Sequence, residues 1–582
     1  MTPLSAGDPS KIAREKLAGV RDGYYRTKYG LTGKLAGTER VRPDSAAERG
    51  LLIIQLDALP YETLCMAMER GYLPFIRRQL LQQKLKLKRW YVGIPSNTPS
   101  VQAALMYGNN DDIPSFRWYE KEGKISVNFK NPLSAGLVEE RLNRFPGLLE
   151  GGSSYGNMFS GKAARSVATY GSFTTMDIAR RLRGWQIFLL MLINLVTVLR
   201  MIFYTFWEFG VEIHDWLRHM VRGELQRGEY LFPLFRIVMN VWVREIITVG
   251  ASTDVANGTP VVYVSFMAYD ELSHQRGPAS KSALLTLRTI DARIKRIVHL
   301  AQRSIVREYD VFIFSDHGTA ASMPFFFLYG QTLEQMVSGL VDGKPPRRLP
   351  VYPGEVQVTY ARVLALKLES YEAGLMRGLR LIVKAFRTVL TRRAAREQEP
   401  RHDGDDVIVT VSGPMAHVYL PVAGRPLDGA IGERYPALIP GLAGHGGVGV
   451  VVTRVEDGML VRSKQGSVTV NHAGELCGLE GDPLPGIEPK DLAYRGLLKL
   501  MNMSNSGDLV LLGADCGEYL VNFEEQMAAH GGLGGLQNSA FILHQPQYSW
   551  LGDIDDPLQL HEVFMKARAA AERTEDSEAV AV

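Results

Sequence analysis

The sequence predicts an α/β fold built on a central, mostly parallel sheet with helices covering both faces. Three short apolar runs, LLIIQL (51–56), VVYVSFM (261–267) and DVFIFS (310–315), are each bounded by polar residues, as strands buried on both faces are. Helical sequence separates them, most clearly SALLTLRTIDARIKRIVHLAQRSI (282–305). Strands that alternate with helices imply parallel pairing, because each crossover lays a helix on the sheet. A chain of 582 residues is too long for one simple core, so about two to four structural units are expected.

Taken in order, residues 1–49 are polar, basic and weakly periodic, and read as an N-terminal arm or short helix. Residues 50–176 form a first part of the core. Residues 177–250 are a very apolar helical insert, whose second half carries Arg236, Asn240 and Arg244 at four-residue spacing, a narrow polar stripe on an apolar helix. Residues 251–358 return to the core. A second insert and linker, 359–404, sets Arg377, Arg380, Lys384 and Arg387 on one helical stripe and Leu375, Leu379, Ile382, Phe386 and Leu390 on the other. Strand-rich sequence fills a third core part, 405–560, and 561–582 reads as a disordered tail.

Composition excludes several classes. A net charge of +4 is small for this length, so no general affinity for nucleic acid and no nucleic-acid-binding module are expected. Three cysteines, Cys65, Cys477 and Cys516, lie far apart with no CxxC pair, which argues against a disulfide framework or a thiolate zinc site and fits a reducing compartment. The first thirty residues hold no apolar stretch of a secretory signal, so the cytoplasmic side is expected.

Three acidic residues stand at or just beyond the predicted strand ends: Asp57, Asp270 and Asp316. The carboxyl ends of strands in open α/β sheets border the ligand crevice. Three carboxylates converging there repel one another unless cations neutralise them. Two bring histidine, as Asp270-Glu-Leu-Ser-His274 and Asp316-His317. Mixed oxygen and imidazole donors suit zinc, with manganese a second choice.

At these motifs the chain resembles the alkaline phosphatase superfamily, in particular its type I phosphodiesterase/nucleotide pyrophosphatase branch. YDELSHQRGP (269–278) and FSDHG (314–318) look like that group's metal motifs, and LDALPYETL (56–64) like its first metal-binding strand end. IPSNTPSVQAALMYG (94–108) is similar to its nucleophile segment, with Thr98 ten residues before Gly108, and AAHGGLGGLQ (528–537) to its last metal histidine. The resemblance implies an alkaline phosphatase-like core and two divalent metal ions, one held by Asp57, Thr98, Asp316 and His317, the other by Asp270, His274 and His530. It implies attack on a phosphoester by Thr98 through a phospho-threonine intermediate. Pro99 places Thr98 at a helix entrance, where backbone N–H groups are expected to face the phosphate. The group's usual oxyanion-stabilising asparagine has no counterpart in IPSFRWYEK, which leaves Arg117 or Asn157 as substrate-binding candidates. A sulfatase CxPxR segment does not occur.

Each residue has a plainer reading. Asp57 or Thr98 could be helix N-caps, and Ser96 or Ser100 could carry the hydroxyl. His445 lies in the same His-Gly-Gly string as His530 but runs straight into a hydrophobic strand, so His530 is preferred, and His417 reads as structural. Residues 187–207, IFLLMLINLVTVLRMIFYTFW, approach the roughly 20 residues that span a bilayer. A single span would put Thr98 and Asp270 on opposite sides, so the segment either re-enters, packs as a buried hairpin over the core or in a dimer interface, or lies on an anionic membrane surface with the basic helix at 375–393. The expected function is therefore phosphodiester hydrolysis, with a lipid-linked substrate as the further expectation that the membrane reading motivates. The alternatives are a phosphomonoesterase or phosphotransferase on the same core, or a non-catalytic membrane-associated assembly protein. The sequence specifies no oligomeric state.

Overall fold

The computed structural model describes residues 23–25, 27–38, 49–170, 184–222, 237–342 and 406–572. The basic insert at 359–404, with its stripe from Arg377 to Arg387, lies outside the described residues.

The strand Gly50–Leu56 is central to a seven-stranded sheet. It pairs in parallel with Val261–Phe266 on one side (Leu51 opposite Val261) and with Tyr309–Phe314 on the other (Leu51 opposite Asp310). Ser153–Tyr155 and Arg165–Val167 extend the first side in parallel; Ser539–His544 and then Lys86–Tyr91 extend the second. Ser539–His544 alone runs against the rest. The expected parallel sheet is thus present, and the continuous apolar runs follow from burial on both faces. Leu51 and Ile53 belong to one core with Tyr263, Phe312 and Phe314, while Leu52, Ile54 and Leu56 belong to a second with Val262, Val264 and Ile313. Successive side chains alternate between faces, so both must be apolar.

Residues 406–513 contribute a second, seven-stranded antiparallel sheet rather than more of the first. Its central strands Leu509–Gly513 and Val448–Val455 are covered by the helix Lys490–Asn502 on one face and by Leu333–Asp342 and Leu438–Ala443 on the other. A small sheet of Leu520–Asn522, Ala320–Pro324 and Ala528–Ala529 joins the two.

The helical regions depart from expectation in two places. The expected tail at 561–582 begins inside a helix, Pro557–Glu572, that buries Leu560, Val563, Phe564 and Ala567 against the core. That spacing is an amphipathic helix face, which short alanine-rich sequence had obscured. Among the described residues, the apolar insert leaves one face uncovered in the single chain. Its helices Gly184–Ile193 and Leu195–Arg222 meet at Asn194, and no helix among the described residues is long and apolar enough to cross a membrane. Asn194 and Thr197 are buried, while Phe188, Leu195, Leu199, Phe203, Phe206 and Trp207 are exposed. Asn240 and Arg244 of the following segment are likewise buried, and Trp242 and Ile246 exposed. Arg236, the first member of the expected polar stripe, lies outside the described residues, and Asn240 and Arg244 face inward.

Candidate metal centre

The helix Thr98–Tyr107 enters the sheet's carboxyl edge with Asn97 as its N-cap, the Asn97 side chain accepting from the Ser100 N–H at 3.0 Å. Gly108 closes it in the left-handed conformation, φ 64°. Because Asn97 does the capping, the Thr98 hydroxyl is free to turn into the crevice. It donates to Asp57 Oδ1 at 3.2 Å and lies 3.1 Å from His317 Nε2. Ser96 is bound to the Gly532 carbonyl and Ser100 to Asn110, so neither competes for that place. Asp57 caps nothing: the next helix, Tyr61–Glu69, has Pro60 at its N-cap position and no side-chain cap.

Asp316 and His317 follow the strand Tyr309–Phe314. His317 Nε2 is 3.3 Å from Asp316 Oδ2 and 3.8 Å from Asp57 Oδ1. The glycine after His317 is required, since a Cβ on Gly318 would sit 2.0 Å from the Leu536 carbonyl oxygen. Asp270 and His274 stand one turn apart on the helix Ala268–Arg276, with His274 Nε2 3.2 Å from Asp270 Oδ2. His530 reaches them from the end of Ala528–Ala529, 3.5 Å from Asp270 Oδ1 and 3.2 Å from His274 Nε2. The ligand atoms of Asp57, Asp316 and His317, and those of Asp270, His274 and His530, form two compact groups, each within 4.8 Å. His317 and His530 stack at 4.1 Å and join them.

The donors fit metal ions. Each imidazole has its Nδ1 against a backbone carbonyl: His317 to Gly318, His274 to Ala528, His530 to Ser96, at 2.9, 2.8 and 3.2 Å. Such bonds place the proton on Nδ1 and turn the Nε2 lone pair to the centre, the usual outer support of a metal-bound histidine. The lone pairs then face carboxylates and one another. Asp316 Oδ2 and Asp270 Oδ1 are buried without a hydrogen-bond partner. A divalent cation in each group would satisfy both sets.

The electrostatics agree. Burial, then the charges of Asp316 and Asp270, push the Asp57 carboxyl well above the usual range. Burial alone would raise Asp270 too, but His274 and His530 outweigh it and hold it well below. Burial opposes a proton on His274, yet Asp270 lifts it to about 9, while burial lowers His317 to about 4. One group therefore holds a proton where a metal would sit.

Residues 51–328 match the family model of the type I phosphodiesterase/nucleotide pyrophosphatases. That match covers a little under half of the chain and takes in Asp57, Thr98, Asp270, His274, Asp316 and His317, and it supports a hydrolase acting on phosphoric ester bonds. Similar solved structures include a phosphonoacetate hydrolase from Sinorhizobium meliloti 1021, 13% identical, with 90% of this chain and 96% of that one covered and a TM-score of 0.44. A murine ectonucleotide pyrophosphatase/phosphodiesterase 5 is 9% identical, over 90% and 95% of the two chains, with a TM-score of 0.41. No curated protein sequence matches the chain.

Two candidates of this phosphodiesterase-like site are placed elsewhere. Asn157 is fully buried, donating to Ser154 Oγ at 2.8 Å and accepting from Gln102 at 3.3 Å, so its amide is committed beneath the crevice. Arg117 pairs with Glu524 and donates to the Val411 carbonyl, tying a hairpin to the second sheet. His445 contacts Phe325 and Tyr329 and joins neither group, and His417 is buried, accepting from the Gly507 N–H. The sequence reading missed Gln102. One turn along the helix Thr98–Tyr107, it donates to Gln55 at 2.9 Å, two residues before Asp57. A polar side chain inside an otherwise apolar helix was the available signal. The helix entrance also offers fewer donors than expected. Pro99 has no N–H, and those of Ser100 and Val101 bond to Asn97, which leaves Thr98's own.

Proposed function

We propose that the protein is a phosphodiesterase that works through a covalent phospho-threonine at Thr98. The observation carrying this reading is the Thr98 hydroxyl, held against Asp57 and His317 of the first ligand group, whose His317 stacks on His530 of the second. Asp57, Asp316, His317 and Thr98 would hold one ion, and Asp270, His274 and His530 the other, zinc suiting the mixed donors better than manganese. When bound, such ions lower the pKa of coordinated hydroxyl and water and neutralise charge on the phosphoryl oxygens.

Thr98 Oγ1 gives up its proton and forms a bond to phosphorus. The bond from phosphorus to the leaving alcohol breaks, and the alcohol departs with its electron pair and takes a proton. Water then adds to phosphorus, the Thr98 oxygen leaves, regains a proton, and phosphate monoester is released. Gln102 and Asn97 hold the nucleophile in line, and Ser96 fixes the His530 turn through the Gly531 N–H and the Gly532 carbonyl.

The test is hydrolysis of bis-(p-nitrophenyl) phosphate and p-nitrophenyl phosphate by metal-loaded protein. Preference for the diester supports the reading, whereas preference for the monoester favours a phosphatase. Turnover of neither favours the non-catalytic alternative, against which the complete donor set stands. A lipid-linked diester is a finer reading, and its support is the outward apolar face of Gly184–Arg222 rather than anything at the ligand groups.

A further inference from the structure

A cavity of about 820 Å³ lies at the amino edge of the sheet, opposite the metal groups. Its walls come from the end of the helix Lys281–Ala301, the loop at 303–306 leading into Tyr309–Phe314, the N-terminal helix at 27–35, and Arg200. Lys34, Arg200, Lys295, Arg296 and Arg303 line it, and among the described residues no aspartate or glutamate does. The Arg296 guanidinium lies 5.2 Å from the Tyr29 ring, and its Nε and Nη2 are buried without a hydrogen-bond partner. Behind the wall, Lys28 is 6% exposed and is lowered to about 8 by burial and by the charges of Arg296 and Arg200. Positive charge is concentrated in this lining, and the buried Arg296 donors turn toward a cavity walled by other cations.

Arg200 also belongs to the helix whose outer face exposes Leu195, Leu199, Phe203 and Phe206, so the basic cavity and the apolar face adjoin. A helix with an apolar outer face and cationic residues beside it matches a helix lying in a membrane interface. We propose that this edge docks on an anionic phospholipid bilayer, with a lipid phosphate in the basic cavity and acyl chains against Leu195–Phe206. A second copy of the chain fits less well, since apposing this face would bring two cavities of the same sign together. The site is an anchor, at the far edge of the sheet from Thr98, and does not rest on the reading of the metal centre.

Co-sedimentation of the full-length protein with phosphatidylcholine vesicles, with and without phosphatidylglycerol, tests it. The wild type is expected to bind the anionic vesicles. A K34Q/R200Q/K295Q variant, altered only at exposed positions, should lose roughly fivefold per side chain, about a hundredfold in all. An L195S/L199S/F206S variant, also exposed, should lose binding while keeping wild-type hydrolysis of a soluble diester. Thr98→Ala should bind vesicles as the wild type does. Absence of wild-type binding, full binding by the charge variant, or binding of inorganic phosphate without vesicles would overturn the proposal. So would sedimentation velocity showing that the apolar variant dissolves a dimer while vesicle binding stays absent.

Discussion

Thr98 has an ordinary alcohol's reluctance to ionise, which cations bound among the neighbouring carboxylates would remove in the proposed mechanism. Its hydroxyl is not needed as a cap, because Asn97 supplies one, and it lies between a carboxylate and an imidazole lone pair. Thr98→Ala should lower kcat for a diester by at least about a thousandfold, with the bound metal, measured by elemental analysis, close to wild type. Near-wild-type turnover would remove the covalent step. The charge balance yields a second outcome. His274, raised to about 9 beside Asp270, stabilises the metal-free fold fully below its unfolded value near 6.5. That contribution fades as pH rises through about 9, so the metal-free protein should lose stability over this window in denaturant titrations. The same proton must leave when a metal binds, so calorimetry in buffers of different ionisation enthalpy should show proton release at neutral pH and affinity rising with pH. Residues of this kind were legible in the sequence because strand ends and short motifs place them locally. Arg117 and Asn157 were not, because their partners, Glu524 and Gln102, come from distant parts of the chain.

At the scale of elements, the helix Thr98–Tyr107 is fixed at both ends and once in the middle. Asn97→Ala removes the cap and should cost about 1 kcal/mol of stability. It should also lower kcat, since the freed Ser100 N–H and Thr98 would share a loosened turn; denaturant titration and steady-state kinetics check both effects. The last helix, Pro557–Glu572, packs directly beside that helix, with His561 Nδ1 2.8 Å from the Leu105 carbonyl oxygen, and Phe564 meets Phe312 at 5.3 Å and Phe314 at 5.7 Å. Phe564→Ala should destabilise the protein by about 3–5 kcal/mol. A neutral effect would mean that this helix is not part of the core. Its alanine-rich sequence and charged end read as tail because helix propensity without long apolar runs gives little sign of tertiary docking. The apolar insert misled in the opposite direction: its hydropathy was plain, but hydropathy does not tell which face turns outward. Asn194 and Thr197, the polar members of the stripe, turn inward and leave the apolar ones exposed.

Across the whole molecule, the parallel sheet was legible from its doubly buried strands, whereas the separate antiparallel sheet of 406–513 was not. Alternating strands announce a sheet but not which sheet they join. That second sheet sends the chain back through Ala528–Ala529, which pairs with Ala320–Ala321 and sets His530 beside Asp270 and His274. Segments from Asp57 to His530 thereby assemble one centre at the carboxyl edge, while the basic cavity and apolar helices occupy the other edge. The most direct test is anomalous diffraction from zinc-loaded crystals, recorded at the zinc edge. Two strong peaks are expected, one among Asp57, Thr98, Asp316 and His317 and one among Asp270, His274 and His530. A single peak, or peaks away from these side chains, would contradict the two-metal centre on which the mechanism depends.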